Sequence, residues 1–176
     1  MKFLKTLFML LIVAAISVSC AVIPSVKPTD VPDDFEFSIR WNVYGVSSYD
    51  SESGVLIKTT DVIERSPNDY KTTLILSAQQ WRQIYGIIKS LDIESYPDEY
   101  DPYLCEDGTS RMSKPFRTII LTVNNKTVAC RGIALGGDVG GTDMGTRFLE
   151  SVSKIVKILT STEQWNALPD YEVLYS

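Results

Sequence analysis

The 176-residue chain contains no histidine, and that absence excludes more chemistry than any other feature of its composition. Histidine is the commonest general base near neutral pH and the commonest zinc ligand. Ser-His-Asp and Cys-His catalysis are therefore closed to this protein. Histidine-free routes survive, namely a carboxylate pair of the glycosidase kind or a Ser-Lys nucleophile. Cysteine is scarce as well, at three residues, Cys20, Cys105 and Cys130. No two of them stand at CxxC spacing, so the chain has neither a dithiol redox motif nor a zinc-binding set. Positive charge is thin: 17 Lys and Arg stand against 22 Asp and Glu, for a formal net charge of −5. Without a basic cluster there is no surface to displace the counterions of a nucleic acid, which is excluded as an expected partner. Long apolar runs are confined to one place, the start of the chain.

There, Lys2 and Lys5 form a short positive head, an apolar run covers 7–16, and the small-residue stretch Ser17-Val18-Ser19 leads to Cys20. This is the layout of a secretory signal that is threaded into a membrane and cut. A cysteine directly after the cut resembles the bacterial lipoprotein signal, whose cysteine receives the lipid. The position three before the cysteine, usually aliphatic in that pattern, is Ser17 here. Ser17 and Ser19 also satisfy the small-x-small rule of an ordinary signal peptidase, which predicts the same cut and a soluble exported product. An uncleaved anchor is the third option, although the apolar stretch 7–23 is at the short limit for a span of about 20 residues. The lipoprotein reading accounts best for the odd cysteine: acylating Cys20 leaves Cys105 and Cys130 as one possible pair.

Removing 19 residues leaves 157, a size that suits one domain. Because the leader holds two lysines and no acids, the mature part carries a net charge of −7. Electrostatic adhesion to anionic lipid is not expected, and contact with the bilayer should come through acylated Cys20 alone. Stable anchoring takes more than one acyl chain, which a multiply acylated cysteine supplies.

Residues 20–34 hold the lipidated cysteine and a proline-bearing stretch that reads as a flexible tether. A single domain is expected over 35–176. Alternation of Phe35, Phe37, Ile39, Trp41 and Val43 with polar residues predicts a first strand. The polar stretch 47–54 predicts a turn, 55–63 a second strand, and 71–76 a third after the turn signal Ser66-Pro67-Asn68-Asp69. Ser77 with Gln80 makes a capping box. Behind it Trp81, Ile84, Tyr85, Ile88 and Leu91 recur at helical spacing. After a long polar segment at 92–115, strands are expected at 116–123 and 127–133 around an Asn124-Asn125 hairpin. A second helix follows, capped by Thr142 or Asp143, with Phe148, Leu149, Val152, Ile155, Val156 and Leu159 on its apolar face. The tail keeps Trp165, Leu168 and Tyr171, enough apolar weight to dock. The expected fold is thus α+β: an antiparallel sheet of about five strands in the order β-β-β-α-β-β-α, with two helices packed on one face.

Three stretches hold candidate sites. In an exported protein Cys105 and Cys130 are expected to form a disulfide, worth about 3 kcal/mol in the chain-entropy model, with two separate buried thiols as the alternative. The segment 92–115 places Tyr96, Tyr100, Asp101 and Tyr103 among further acids. Tyrosine-rich loops serve recognition, and this one is the candidate binding loop. Its acids do not follow the spacing of a calcium loop. The link 135–141, Leu-Gly-Gly-Asp-Val-Gly-Gly, matches no phosphate-binding motif, and Asp138 and Asp143 would repel phosphate, so no nucleotide is expected. No catalytic residue, metal site or cofactor is assigned.

The whole resembles the small exported bacterial lipoproteins of uncharacterised function, in which a leader and cysteine precede one α+β domain. The resemblance implies acylation at Cys20 and a place in the cell envelope, at the inner or outer membrane, and it implies no activity. The leading expectation is a membrane-tethered, non-enzymatic module that binds an envelope protein or glycan. The alternatives are a carboxylate-based hydrolase of envelope carbohydrate and a secreted inhibitor-like protein. Intact mass of the membrane-extracted protein should show a chain starting at Cys20 with a diacyl or triacyl increment. A bare chain in the soluble fraction would rule out the anchor.

Overall fold

The computed structural model describes residues 27–42, 46–59, 69–100, 118–131 and 143–170. Seven strands form one sheet: β1 (Phe37–Asn42), β2 (Val46–Asp50), β3 (Val55–Lys58), β4 (Tyr70–Thr73), β5 (Glu99–Tyr100), β6 (Thr118–Val123) and β7 (Lys126–Arg131). Their spatial order is β4-β3-β2-β1-β6-β7-β5. Six of them pair antiparallel, and the two-residue β5 adds a parallel edge to β7. The helices are α1 (Ala78–Leu91), α2 (Asp143–Thr160) and the single turn α3 (Glu163–Asn166). The protein is therefore α+β, as the sequence pattern predicts, with more strands than the expected five.

The extra strands have physical explanations. β2 reads Val-Ser-Ser-Tyr-Asp, with only Tyr49 as a large inward side chain. Ser47 fills the other inward position and is buried. A small hydroxyl residue where the pattern asks for an apolar one makes the stretch look like a turn. β5 is too short to carry any periodicity. The observed turn is shorter than the expected 47–54 and lies at 51–54, where Gly54 takes the left-handed φ of 67°. A Cβ there would meet the Leu74 carbonyl at 3.3 Å. Asn124, in the hairpin joining β6 to β7, also adopts a left-handed φ, of 48°.

β1 is the central strand, pairing with β2 on one side and β6 on the other. Its inward residues Phe37, Ile39 and Trp41 are buried, as are Tyr49, Leu56, Ile119, Leu121 and Val128 on the same face. α1 and α2 cover that face and pack on each other. The capping box forms as expected: the Ser77 hydroxyl accepts the Gln80 N–H at 3.3 Å, and Gln80 Oε1 accepts the Ser77 N–H at 2.8 Å. Trp81, Ile84, Ile88 and Leu91 are the buried stripe of α1. Each such side chain is worth about 1.5–3 kcal/mol, which outweighs the roughly 1 kcal/mol cost of a helical glycine at Gly86. α2 buries Phe148, Val152, Ile155 and Leu159.

Two features at the chain's margins depart from expectation. The stretch 27–34 is packed rather than a free tether. Val31 is 1% exposed, and the Lys27 ammonium donates to the Asp33 carbonyl at 2.7 Å and the Phe35 carbonyl at 2.8 Å. It also lies 5.2 Å from the Trp81 ring centre. The packed chain therefore includes residues upstream of 35, because Val31 and Phe35 reach the same core as α1. At the other margin Trp165 docks against Trp41, ring centres 5.7 Å apart, fulfilling the expectation for the tail as far as residue 170. The side chain of Lys58, only 4% exposed, lies 5.1 Å from the Trp165 ring centre and pairs with Asp170 at 3.6 Å.

Replacing Gly86 by alanine should raise stability by about 1 kcal/mol, since nothing lies within 4 Å of the added methyl. Ile84→Ala should lower it by about 2–5 kcal/mol through an unfilled cavity. Urea unfolding midpoints read both changes.

Candidate functional site

The helices cover one face of the sheet, and alternation turns a second set of side chains to the other. From β1 these are Ser38 and Arg40; from β2, Ser48 and Asp50; from β3, Val55 and Ile57; and from β6, Ile120 and Thr122. Cross-strand register lines them up in rows. Ile120 stands opposite Arg40, Arg40 opposite Ser48, and Ser48 opposite Ile57. In the adjacent row Thr122 stands opposite Ser38 and Ser38 opposite Asp50. A hollow of about 430 Å³ lies on this face, with Val55, Ile57 and Ile120 as its aliphatic floor and Ser38, Arg40, Ser48 and Asp50 as its polar lining. The three aliphatic side chains are half-buried, and Arg40 is exposed.

Local hydrogen bonds hold one end of this face. Asp50 Oδ1 accepts the Ser53 N–H at 2.8 Å and also the Ser53 hydroxyl. The Ser51 hydroxyl accepts the Phe37 N–H at 2.8 Å. Asn124 Oδ1 accepts the Glu36 N–H at 2.9 Å, tying the β6–β7 hairpin to the start of β1. Beneath the face, burial pushes the Tyr49 phenol well above its ordinary value. It stays a neutral donor, directed to the Leu74 carbonyl at 3.3 Å. The arrangement sets hydroxyls, the Arg40 guanidinium and the Asp50 carboxylate over an aliphatic floor.

A smaller hollow of about 200 Å³ at the same end is lined by Glu36, Asp50 and Glu52. A histidine-free hydrolase would need two such carboxylates in a shared cleft. Glu36 and Glu52 stand exposed in solvent, whereas such hydrolases act in sites that exclude water. Among the described residues no group of three acids or thiols is placed to hold a metal ion.

The expected binding loop is divided by the structure. Tyr96 is 3% exposed, its ring 5.5 Å from that of Phe148 and its hydroxyl donating to the Met144 carbonyl at 2.9 Å. It belongs to the core and ties the end of α1 to the start of α2. Tyr100 lies in β5, beside Cys130 of β7. Asp101, Tyr103 and Cys105 lie outside the described residues, as do Cys20 and the link 135–141. Cys130 is wholly buried on the inner face of β7, and its expected partner Cys105 lies outside the described residues. Sequence reasoning passed over the open face because its residues are the ordinary polar half of an alternating strand. Their cross-strand rows, which depend on β1 pairing with β6, could not be read from spacing. No protein-family model, curated protein or solved structure matches the chain.

Two carboxylates flank the fold with shifted acidity. A hydrogen bond from Arg82 holds Asp30 below its ordinary value of 3.8, and one from Lys126 does the same for Asp98. Both folded-state values are depressed, so their stabilisation is present above the ordinary carboxylate range and lost as pH falls through the folded values. The wild type should therefore exceed an Asp30→Asn, Asp98→Asn variant in stability at neutral pH, with the gap closing in acid. Urea midpoints across that pH range check it.

Proposed function

We propose that this chain is an exported, lipid-anchored, protein-binding module of the bacterial cell envelope, and that the open sheet face is its binding surface. The observation that carries the reading is the hollow itself, in which Arg40 and Asp50 stand among serines over Val55, Ile57 and Ile120. A strand of polar and small side chains facing solvent needs no explanation alone. Aliphatic residues gathered beneath two opposite charges supply both parts of a polypeptide interface, apolar area and orienting charge. The leader and Cys20 support the envelope address, and the mature chain's negative charge favours a partner with a basic rim. Without histidine the chain lacks the commonest general base near neutral pH, which favours binding over hydrolysis. The expectation of a glycan partner gives way to a protein because the floor of the hollow is aliphatic, whereas sugar rings are commonly met by aromatic faces.

A photo-crosslinking residue at Ile57, inside the hollow, should yield a discrete protein adduct in intact cells. The same group at Ser90, exposed on α1, should not. Adding Arg40→Glu should reduce the Ile57 adduct several-fold while leaving the unfolding midpoint within about 0.5 kcal/mol of wild type, the range for a surface change. No adduct from Ile57, or the same adduct from both positions, would refute the reading.

A further inference from the structure

The two edges of the sheet are finished differently. β5 ends one of them with two residues, and so short an edge strand is itself a guard against pairing with another chain. The other edge is β4, whose only strand partner among the described residues is β3. We infer that β4 is a self-association edge, which pairs antiparallel with β4 of a second copy of this chain about a twofold axis at Thr73. It depends on neither the lipid anchor nor the hollow on the open face.

Register on β3 decides which backbone groups this edge leaves open. The Leu74 N–H donates to the Gly54 carbonyl at 2.8 Å, and Leu56 stands opposite Thr72 and Lys58 opposite Tyr70. Bonding alternates along an antiparallel strand. Tyr70, Thr72 and Leu74 therefore direct their backbone groups to β3, while Lys71, Thr73 and Ile75 direct theirs outward. Among the described residues nothing bonds to those outward groups. Their side chains are exposed too, alternating with the buried Leu74 and Leu76. Ile75, at 41%, is the exposed large hydrophobic residue of the described chain. On the helix side Tyr70 and Thr72 are only half-buried, so the approach to the edge is open there. The stretch Tyr-Lys-Thr-Thr-Leu-Ile-Leu-Ser at 70–77 has no proline and a single charge. It lacks most of the devices that blunt an edge.

A second copy fits this edge in one register. An axis at Lys71 or Thr72 brings two Lys71 ammonium groups opposite or diagonal to each other, and like charges so placed repel. An axis at Leu74 sets Lys71 against Ser77, whose N–H and carbonyl are already bonded to Gln80 and Trp81. An axis at Ile75 sets it against Gln79, inside α1. The axis at Thr73 avoids all three faults. It pairs Thr73 with its own counterpart, a favourable cross-strand pair, and Lys71 with Ile75 of the other copy. The lysine stem then covers the exposed isoleucine while its ammonium stays in water, and the outward N–H and carbonyl groups of all three residues find partners. One sheet would run through both copies, with the two open faces on the same side. A single edge strand buries less than the roughly 1,000 Å² of a stable interface, so monomer and dimer should exchange.

The test uses the full chain as cells produce it, purified in detergent. Opposed residues in a bonded antiparallel pair have Cα atoms about 5.5 Å apart, within disulfide range. Under mild oxidation Thr73→Cys should give a disulfide-linked dimer several-fold above the wild type, which carries the same native cysteines. Lys71→Cys and Ile75→Cys should each stay at the wild-type level alone and cross-link when mixed. Thr73→Pro removes an outward N–H, a change that an edge strand tolerates. It should keep the wild-type urea midpoint and sediment as a monomer at concentrations where the wild type dimerises. Equal cross-linking by the three single variants, or none by Thr73→Cys, overturns the register and the edge with it. So does a wild type that stays monomeric up to about 1 mM, or a folded Thr73→Pro chain that dimerises like the wild type. The cross-linking pattern stands without the proline variant.

Discussion

The alternation of β1 is the constraint on which the rest of the structure depends. Phe37, Ile39 and Trp41 face one way and Ser38 and Arg40 the other, and both edges of the strand are paired. Through its inward side chains β1 meets the ring of Trp81 at one end and that of Trp165 at the other, so a single strand registers both helical margins. Through its edges it joins the N-terminal meander to the C-terminal hairpin. A one-residue slip would put Ser38 and Arg40 into the core and expose three large apolar side chains. The open face is the counterpart of the same alternation.

Much of this was legible from residue types alone. The strand at Phe37–Asn42 announced itself by period two, α1 by its capping box and apolar stripe, and α2 by apolar spacing. What escaped was whatever depends on partners distant in sequence. β2 was read as a turn because Ser47 occupies a core position, tolerable only since its neighbours Trp41 and Tyr49 are large. The packing of 27–34 was missed because proline-bearing segments lack periodicity, although Val31 and Phe35 were apolar residues in search of a core. Tyr96 was read as a recognition residue by composition, whereas its place directly after the 3₁₀ turn Ile93–Ser95 delivers its ring to Phe148.

Lys58 shows how a charge is accommodated in such a core. The alternation of β3 turns it inward, and it is held there by a ring face, by the Leu168 carbonyl at 3.4 Å and by Asp170. Removing its partners would leave a buried cation exposed to the full cost of desolvation. The C-terminal segment is thus tied to the domain through Lys58 as well as through the burial of Trp165.

The pairing of β1 with β6 also sets when the protein can finish folding. The bond between Glu36 and Asn124 joins positions 88 apart in sequence, and both edges of the central strand close only after β6 exists. At a synthesis rate of roughly 5–20 residues per second, β1 waits about 4–18 seconds with one edge unpaired. Contacts of such separation slow folding because loop closure comes before the contacts that reward it. On the export reading proposed above, a sheet that cannot close early would keep the chain threadable through its translocation channel.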